Sequence, residues 1–195
     1  MTSSSSAAAA PSEAPGLSDE FGLRLAGWLG LALVLALVCG ALAAVFWAGV
    51  VQLPTYQVEA DGSAFTTERG LAAYFGSDAW YCFAATVVGA GLGIVAWRWF
   101  RSLGWPVALI AGAVSLVAGL VCWQVGQLLG PGPFDERLAA AKPGDVVPIA
   151  LELHATSAIA LWPFVAIGAV LLFASLGPDP DAPPRVARRS RAAGQ

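Results

Sequence analysis

Long apolar runs separated by short polar ones dominate the chain. Four stretches carry no Lys, Arg, Asp or Glu: 25–58, 79–97, 102–134 and 153–178. A helix needs about 20 apolar residues to cross a hydrocarbon core about 30 Å thick. Each run is continuously apolar, whereas a barrel strand would alternate and be about half as long. The pattern predicts an all-α membrane protein, a four-helix transmembrane bundle with spans near 24–50, 78–99, 105–128 and 152–176. The first run is long enough to tilt or to reach into the headgroups. Its apolar stretch exceeds the core of a signal peptide and no basic residue precedes Arg24, so it is read as a retained span despite the cleavage-like Ala41-Leu42-Ala43.

Tryptophan favours the membrane–water boundary. Trp28 and Trp47 fall near the two ends of span one, Trp80, Trp97 and Trp99 flank span two, and Trp105 and Trp123 flank span three. Only Trp162 falls mid-span. Composition agrees with lipid as the solvent: apolar residues make up 57% of the 195 and charged residues 12%, about half the charge of a soluble domain. A nucleic-acid binder, a disulfide scaffold and a wholly disordered chain are thereby excluded. With both termini cytoplasmic, Arg24, Arg98, Arg101, Arg185, Arg188, Arg189 and Arg191 lie inside, against Arg69, Arg137 and Lys142 outside, as the positive-inside rule requires. The expected location is the plasma (inner) membrane, crossed several times.

The polar segments predict the rest. Residues 1–17 (Ser, Ala and Pro with little else) and the Pro- and Arg-rich 177–195 are expected to be disordered cytoplasmic tails flanking a membrane domain at 18–176. The second tail's arginines read as a topology determinant, with anionic-lipid binding as the alternative. Ser18, Asp19 and Glu20 resemble the cap and acidic first turn of span one. The short link at 98–105 makes spans two and three an antiparallel hairpin. In the first outer loop, Asp61-Gly62 between alternating stretches is a β-hairpin signal. In the second, a short helix is expected at 134–141, a turn at Lys142-Pro143-Gly144-Asp145, and extended chain over 146–151. These small elements are expected to pack as an outer cap.

Candidate chemistry is sparse. Gly89 and Gly93 on span two, and Gly112, Gly119 and Gly126 on span three, form small-residue rows that let helices approach closely in lipid. Packing between spans two and three is the favoured reading and a dimer face the alternative. Pro163 stands mid-span and predicts a kink in span four. The polar groups at membrane depth are Asp78, Gln124, Gln127, Glu152 and His154, all near the outer rim. An anchoring network between cap and bundle is the favoured reading; a proton- or cation-handling cluster and a metal site are the alternatives. In a helix Glu152 and His154 would diverge by about 200°, while in extended chain they would share a face. Cys39, Cys82 and Cys122 all sit within spans and read as small hydrophobes, a Cys82–Cys122 disulfide being the alternative. Catalytic motifs are missing, so no enzyme activity, cofactor or metal is expected.

Leu151-Glu152-Leu153-His154-Ala155 followed by Leu161-Trp162-Pro163, Leu129-Gly130-Pro131 closing a glycine-spaced third span, and the Asp-Gly turn together resemble a family of small four-span actinobacterial membrane proteins, a domain of unknown function. The likeness covers roughly 24–178. It implies four spans and cytoplasmic tails, and no established activity. The expected function is therefore a non-enzymatic accessory or scaffold protein of the cell envelope. The expected partners are the lipid bilayer, with another membrane protein or a second copy, and no nucleic acid. A small oligomeric transporter or channel subunit is the alternative.

Overall fold

In the computed structural model, which describes residues 17–58, 64–65 and 75–177, the apolar runs become helices. They are α1 (Leu17–Val50), α2 (Gly76–Phe100), α3 (Pro106–Leu129) and α5 (Leu161–Leu176). A six-residue α4 (Phe134–Ala139) and three short strands, β1 (Thr55–Val58), β2 (Ala64–Phe65) and β3 (Val146–Pro148), occupy the links. Four helical segments, beginning at Gly22, Gly76, Pro106 and Thr156, are long and apolar enough to cross a membrane. This is a multi-pass membrane protein built as an all-α four-helix bundle. The expected tails fall outside the described residues, except that Leu17 already belongs to α1 and Gly177 closes α5.

The bundle is turned inside out relative to a soluble one. Val34, Val38, Leu42 and Val45 form an exposed stripe on α1, and Leu171 and Leu172 stand exposed on α5. Small residues face inward instead: Ala32, Ala36, Ala43 and Ala44 on α1, and Ala111, Ala118 and Gly119 on α3. Lipid tails are as apolar as leucine, so helices gain by approaching closely rather than by hiding apolar surface. The most extensive packing joins α1 to α3 and α2 to α5, with α3 against α5 next. The hairpin neighbours α2 and α3, joined through a 3₁₀ turn at Arg101–Leu103 and Gly104 at φ +75°, touch less.

At the end opposite the first residues of α1, the two longer links form one three-stranded sheet in the order β2-β1-β3. β1 pairs antiparallel with β2, Gln57 opposite Phe65, and with β3, Tyr56 opposite Val147. The Asp61-Gly62 pair lies outside the described residues, but the strands on either side of it pair in the register of a hairpin. The Lys142–Asp145 turn closes as its sequence suggests: Gly144 takes φ +94°, and Asp145 Oδ2 accepts the Lys142 N–H at 2.8 Å. The short helix expected at 134–141 spans Phe134–Ala139.

Span four differs from its sequence reading. It does not begin at Glu152. From Val147 to Leu153 every second residue is buried, which is the alternation of an extended strand. Helix starts only with a 3₁₀ turn at Thr156–Ala160, which passes directly into α5. Pro163 is consequently the third residue of α5 and the eighth of the continuous helical segment that opens at Thr156, near its start and not at its middle. Proline's fixed φ suits the first turn of an α-helix.

Candidate functional site

The polar residues at the sheet end converge on Asp78, in the first turn of α2. A carboxylate there is favoured by its own helix N-terminus. It also serves a second element: Oδ1 accepts the His154 N–H at 3.1 Å and Oδ2 the Ala155 N–H at 2.9 Å. Ala155 is the residue that caps the 3₁₀ turn. Asp78 thus caps the entry to span four from another helix, in place of the capping side chain that Ala155 cannot supply. The His154 side chain stays close, its Nδ1 3.7 Å from Asp78 Oδ1, and the carboxylate is only 14% exposed. Ser77, buried beside it, places its hydroxyl 3.3 Å from the Glu152 carbonyl and 3.4 Å from Asp78 Oδ1. Its one proton is shared between those acceptors.

Extended chain at 147–154 decides the geometry of the two ionisable side chains beyond. Glu152 and His154 stand on one exposed face, with Leu151 and Leu153 buried beneath. The two glutamines do not join them. Gln124 is exposed and Gln127 half-buried on α3, and among the described residues neither side chain bonds to this cluster. Of the five predicted rim residues, Asp78 and His154 meet directly, and Glu152 joins them through its backbone carbonyl, which accepts from Ser77.

A second assembly lies inside the bundle. Trp47 of α1, Tyr81 of α2 and Trp162 of α5 are each completely buried. Their rings are in contact, with centroids 5.3 Å apart for Trp47 and Tyr81 and 6.0 Å for Tyr81 and Trp162. α3 supplies the bed. A Cβ on Gly119 would lie 2.7 Å from the Trp162 ring, and one on Gly126 would lie within 2.5 Å of the Trp47 ring. Seven residues apart, those glycines share one face of α3. Polar atoms bind the helices together: Trp47 Nε1 donates to the Ser77 carbonyl at 2.8 Å, the Tyr81 hydroxyl to the Gly119 carbonyl at 2.9 Å, and the Ser115 hydroxyl to the Trp162 carbonyl at 2.9 Å. Such bonds contribute about 0.6 kcal/mol each, to a maximum of about 1.7.

This assembly sharpens two readings. The glycine rows seat chiefly α5, with α2 and α3 meeting only in part. A Cβ on Gly89 would lie 3.0 Å from the Trp162 carbonyl of α5 and 3.4 Å from the Ser115 hydroxyl of α3, one on Gly93 2.5 Å from the Ala166 carbonyl, and one on Gly112 3.1 Å from the Ile167 side chain, so all three receive α5. Trp47, near the end of α1 as its boundary reading has it, is also buried and fills the space between α1 and Gly126 of α3. The sequence reading missed Gly40, where a Cβ would lie 2.5 Å from the Ala118 carbonyl. The small residues Ala36, Gly40 and Ala44, each four apart, were the signal for it.

Among the described residues, no three of His, Cys, Asp or Glu are placed to hold a metal ion, and the three cysteines are free thiols. Compared with known proteins, the chain matches no family model, no curated protein and no solved structure.

Proposed function

We propose that this protein is a non-enzymatic accessory or scaffold component of the cell envelope. In this reading it sits in the plasma membrane with both termini in the cytoplasm and its sheet cap outside. The observation that carries the reading is the aromatic filling of the bundle. Trp47, Tyr81 and Trp162 occupy the space between the helices where a path would run, and the polar atoms of Trp47 and Tyr81 are directed at backbone carbonyls. The rim carboxylate of Asp78 accepts two backbone N–H groups, which suits an anchor better than a carrier of protons. The excess of arginine at the tail end supports the orientation. The likeness to actinobacterial four-span proteins agrees with this architecture and adds no activity.

A second reading, a subunit of a small oligomeric transporter or channel, draws on one feature. Asp78 borders a shallow groove of about 470 Å³ that is otherwise lined mainly by apolar residues of α2, the 3₁₀ turn and α5. In a second copy such a groove would become part of a path.

Chemical cross-linking in native membranes, followed by purification in mild detergent, separates the two. A scaffold is recovered with a specific partner of different sequence, captured from the cap side. Recovery of the monomer alone would defeat the scaffold reading, and recovery of a ring of identical copies would favour the second.

A further inference from the structure

We propose that the cleft at the sheet end, between β1, α4 and the extended chain leading into α5, is a binding site for an organic cation, an ammonium or guanidinium group. The cleft measures about 320 Å³. One wall is aromatic: Tyr56 of β1 and Phe134 of α4 stand with ring centroids 5.3 Å apart and planes inclined by 52°. The same cleft is lined by Asp135, in the first turn of α4, and by Glu152 and His154. A cation over an aromatic face gains from the ring quadrupole, and carboxylates supply charge-assisted acceptors for its N–H groups.

Three observations narrow the ligand. No Lys or Arg among the described residues lines the cleft; the nearby Arg137 turns its guanidinium to the Gly132 carbonyl at 3.2 Å. Among the described residues, neither Asp135 nor Glu152 forms an ion pair. The acids and the imidazole line one cavity, yet among the described residues no three such groups are close enough together to coordinate a single ion. A bare metal would leave the site unfilled, whereas a charged group on an organic stem reaches both the rings and the acids. The volume sits at the small end of ligand sites, about 300–1,000 Å³, which suits one basic side chain or a small amine. The inference rests on the scaffold reading only for its source: there the cation is a lysine or arginine side chain of the partner, while a free amine is the other source of the same chemistry.

The test uses the full chain in lipid nanodiscs, titrated with ethylguanidinium and n-butylammonium and read by saturation-transfer NMR. Both probes are expected to bind saturably. Binding is expected to weaken about tenfold in D135N/E152Q, where two charge-assisted acceptors become neutral, and several-fold in Y56L. The two acids are exposed, so the double variant should keep the wild-type unfolding midpoint; Y56L serves as the independent check should it not. No saturable binding up to about 50 mM, or equal binding in wild type and both variants, overturns the proposal. Cross-linking in native membranes then assigns the source. A partner held by wild type and lost from D135N/E152Q identifies a partner side chain. A partner held equally by both, with probe binding still lost in the variant, identifies a free cation. Probe binding with no partner captured at all defeats the scaffold reading and leaves the cation site standing.

Discussion

At the scale of single residues, Asp78 is the joint between cap and bundle. It touches two helix starts at once, its own and that of span four. Removing both oxygens in Asp78→Ala orphans the His154 and Ala155 N–H groups and should lower the unfolding free energy by about 1–3 kcal/mol. Asp78→Asn keeps one acceptor and should cost less. Denaturation in mixed micelles, followed by tryptophan fluorescence, measures both; an unchanged Asp78→Ala would show that the joint contributes nothing. The glycines form a graded series for the same measurement. Gly119→Ala drives a methyl into the fixed Trp162 ring and Gly93→Ala into backbone, so each should cost about 1–3 kcal/mol. At Gly112 the neighbour is the flexible end of Ile167, and the cost should be smaller. Gly91 meets nothing within 4 Å, and Gly91→Ala should be neutral or stabilising by up to about 1 kcal/mol.

At the scale of elements, the start of span four sets the place of its proline. Pro163 stands in the first turn of α5, where its fixed φ suits the helix, so Pro163→Ala should change stability by no more than about 0.5 kcal/mol and leave the helix content unaltered. A gain of several residues of helix by circular dichroism would place the proline inside a kinked span instead. The four helices, the turn at Lys142–Asp145 and the short α4 were legible because hydropathy, glycine and proline act locally. The start of span four was not. Leu151, Leu153 and the alanines after them are as apolar as the helix they precede, and hydropathy alone does not separate a buried strand from a span. The separating signal was the period-two alternation from Val147 to Leu153. It was obscured because Ala150 is apolar on the outward face.

At the scale of the whole molecule, what was hardest to read was which helices meet. Glycine spacing marked the faces of α2 and α3 that carry close contacts, but a face does not name its partner. Chain proximity suggested the hairpin neighbour, while the bulk of Trp47 and Trp162 selected α1 and α5. Of the candidate site, Asp78 and His154 lie against each other, with Glu152 tied in through its backbone carbonyl. Gln124 and Gln127 read to the same depth, but among the described residues neither side chain bonds to that group. The arrangement also fixes a topology to be tested. Reporters inserted in the Lys142–Asp145 turn should be accessible from outside the cell, and reporters at either terminus should not. The reading of the molecule as an anchor and not a conduit depends most on its closed aromatic centre. Flux through the purified protein reconstituted in sealed vesicles tests it directly, for protons and for alkali cations. The expected result is leakage no greater than that of protein-free vesicles, unchanged by His154→Ala; a protein-dependent flux that His154→Ala abolishes would contradict it.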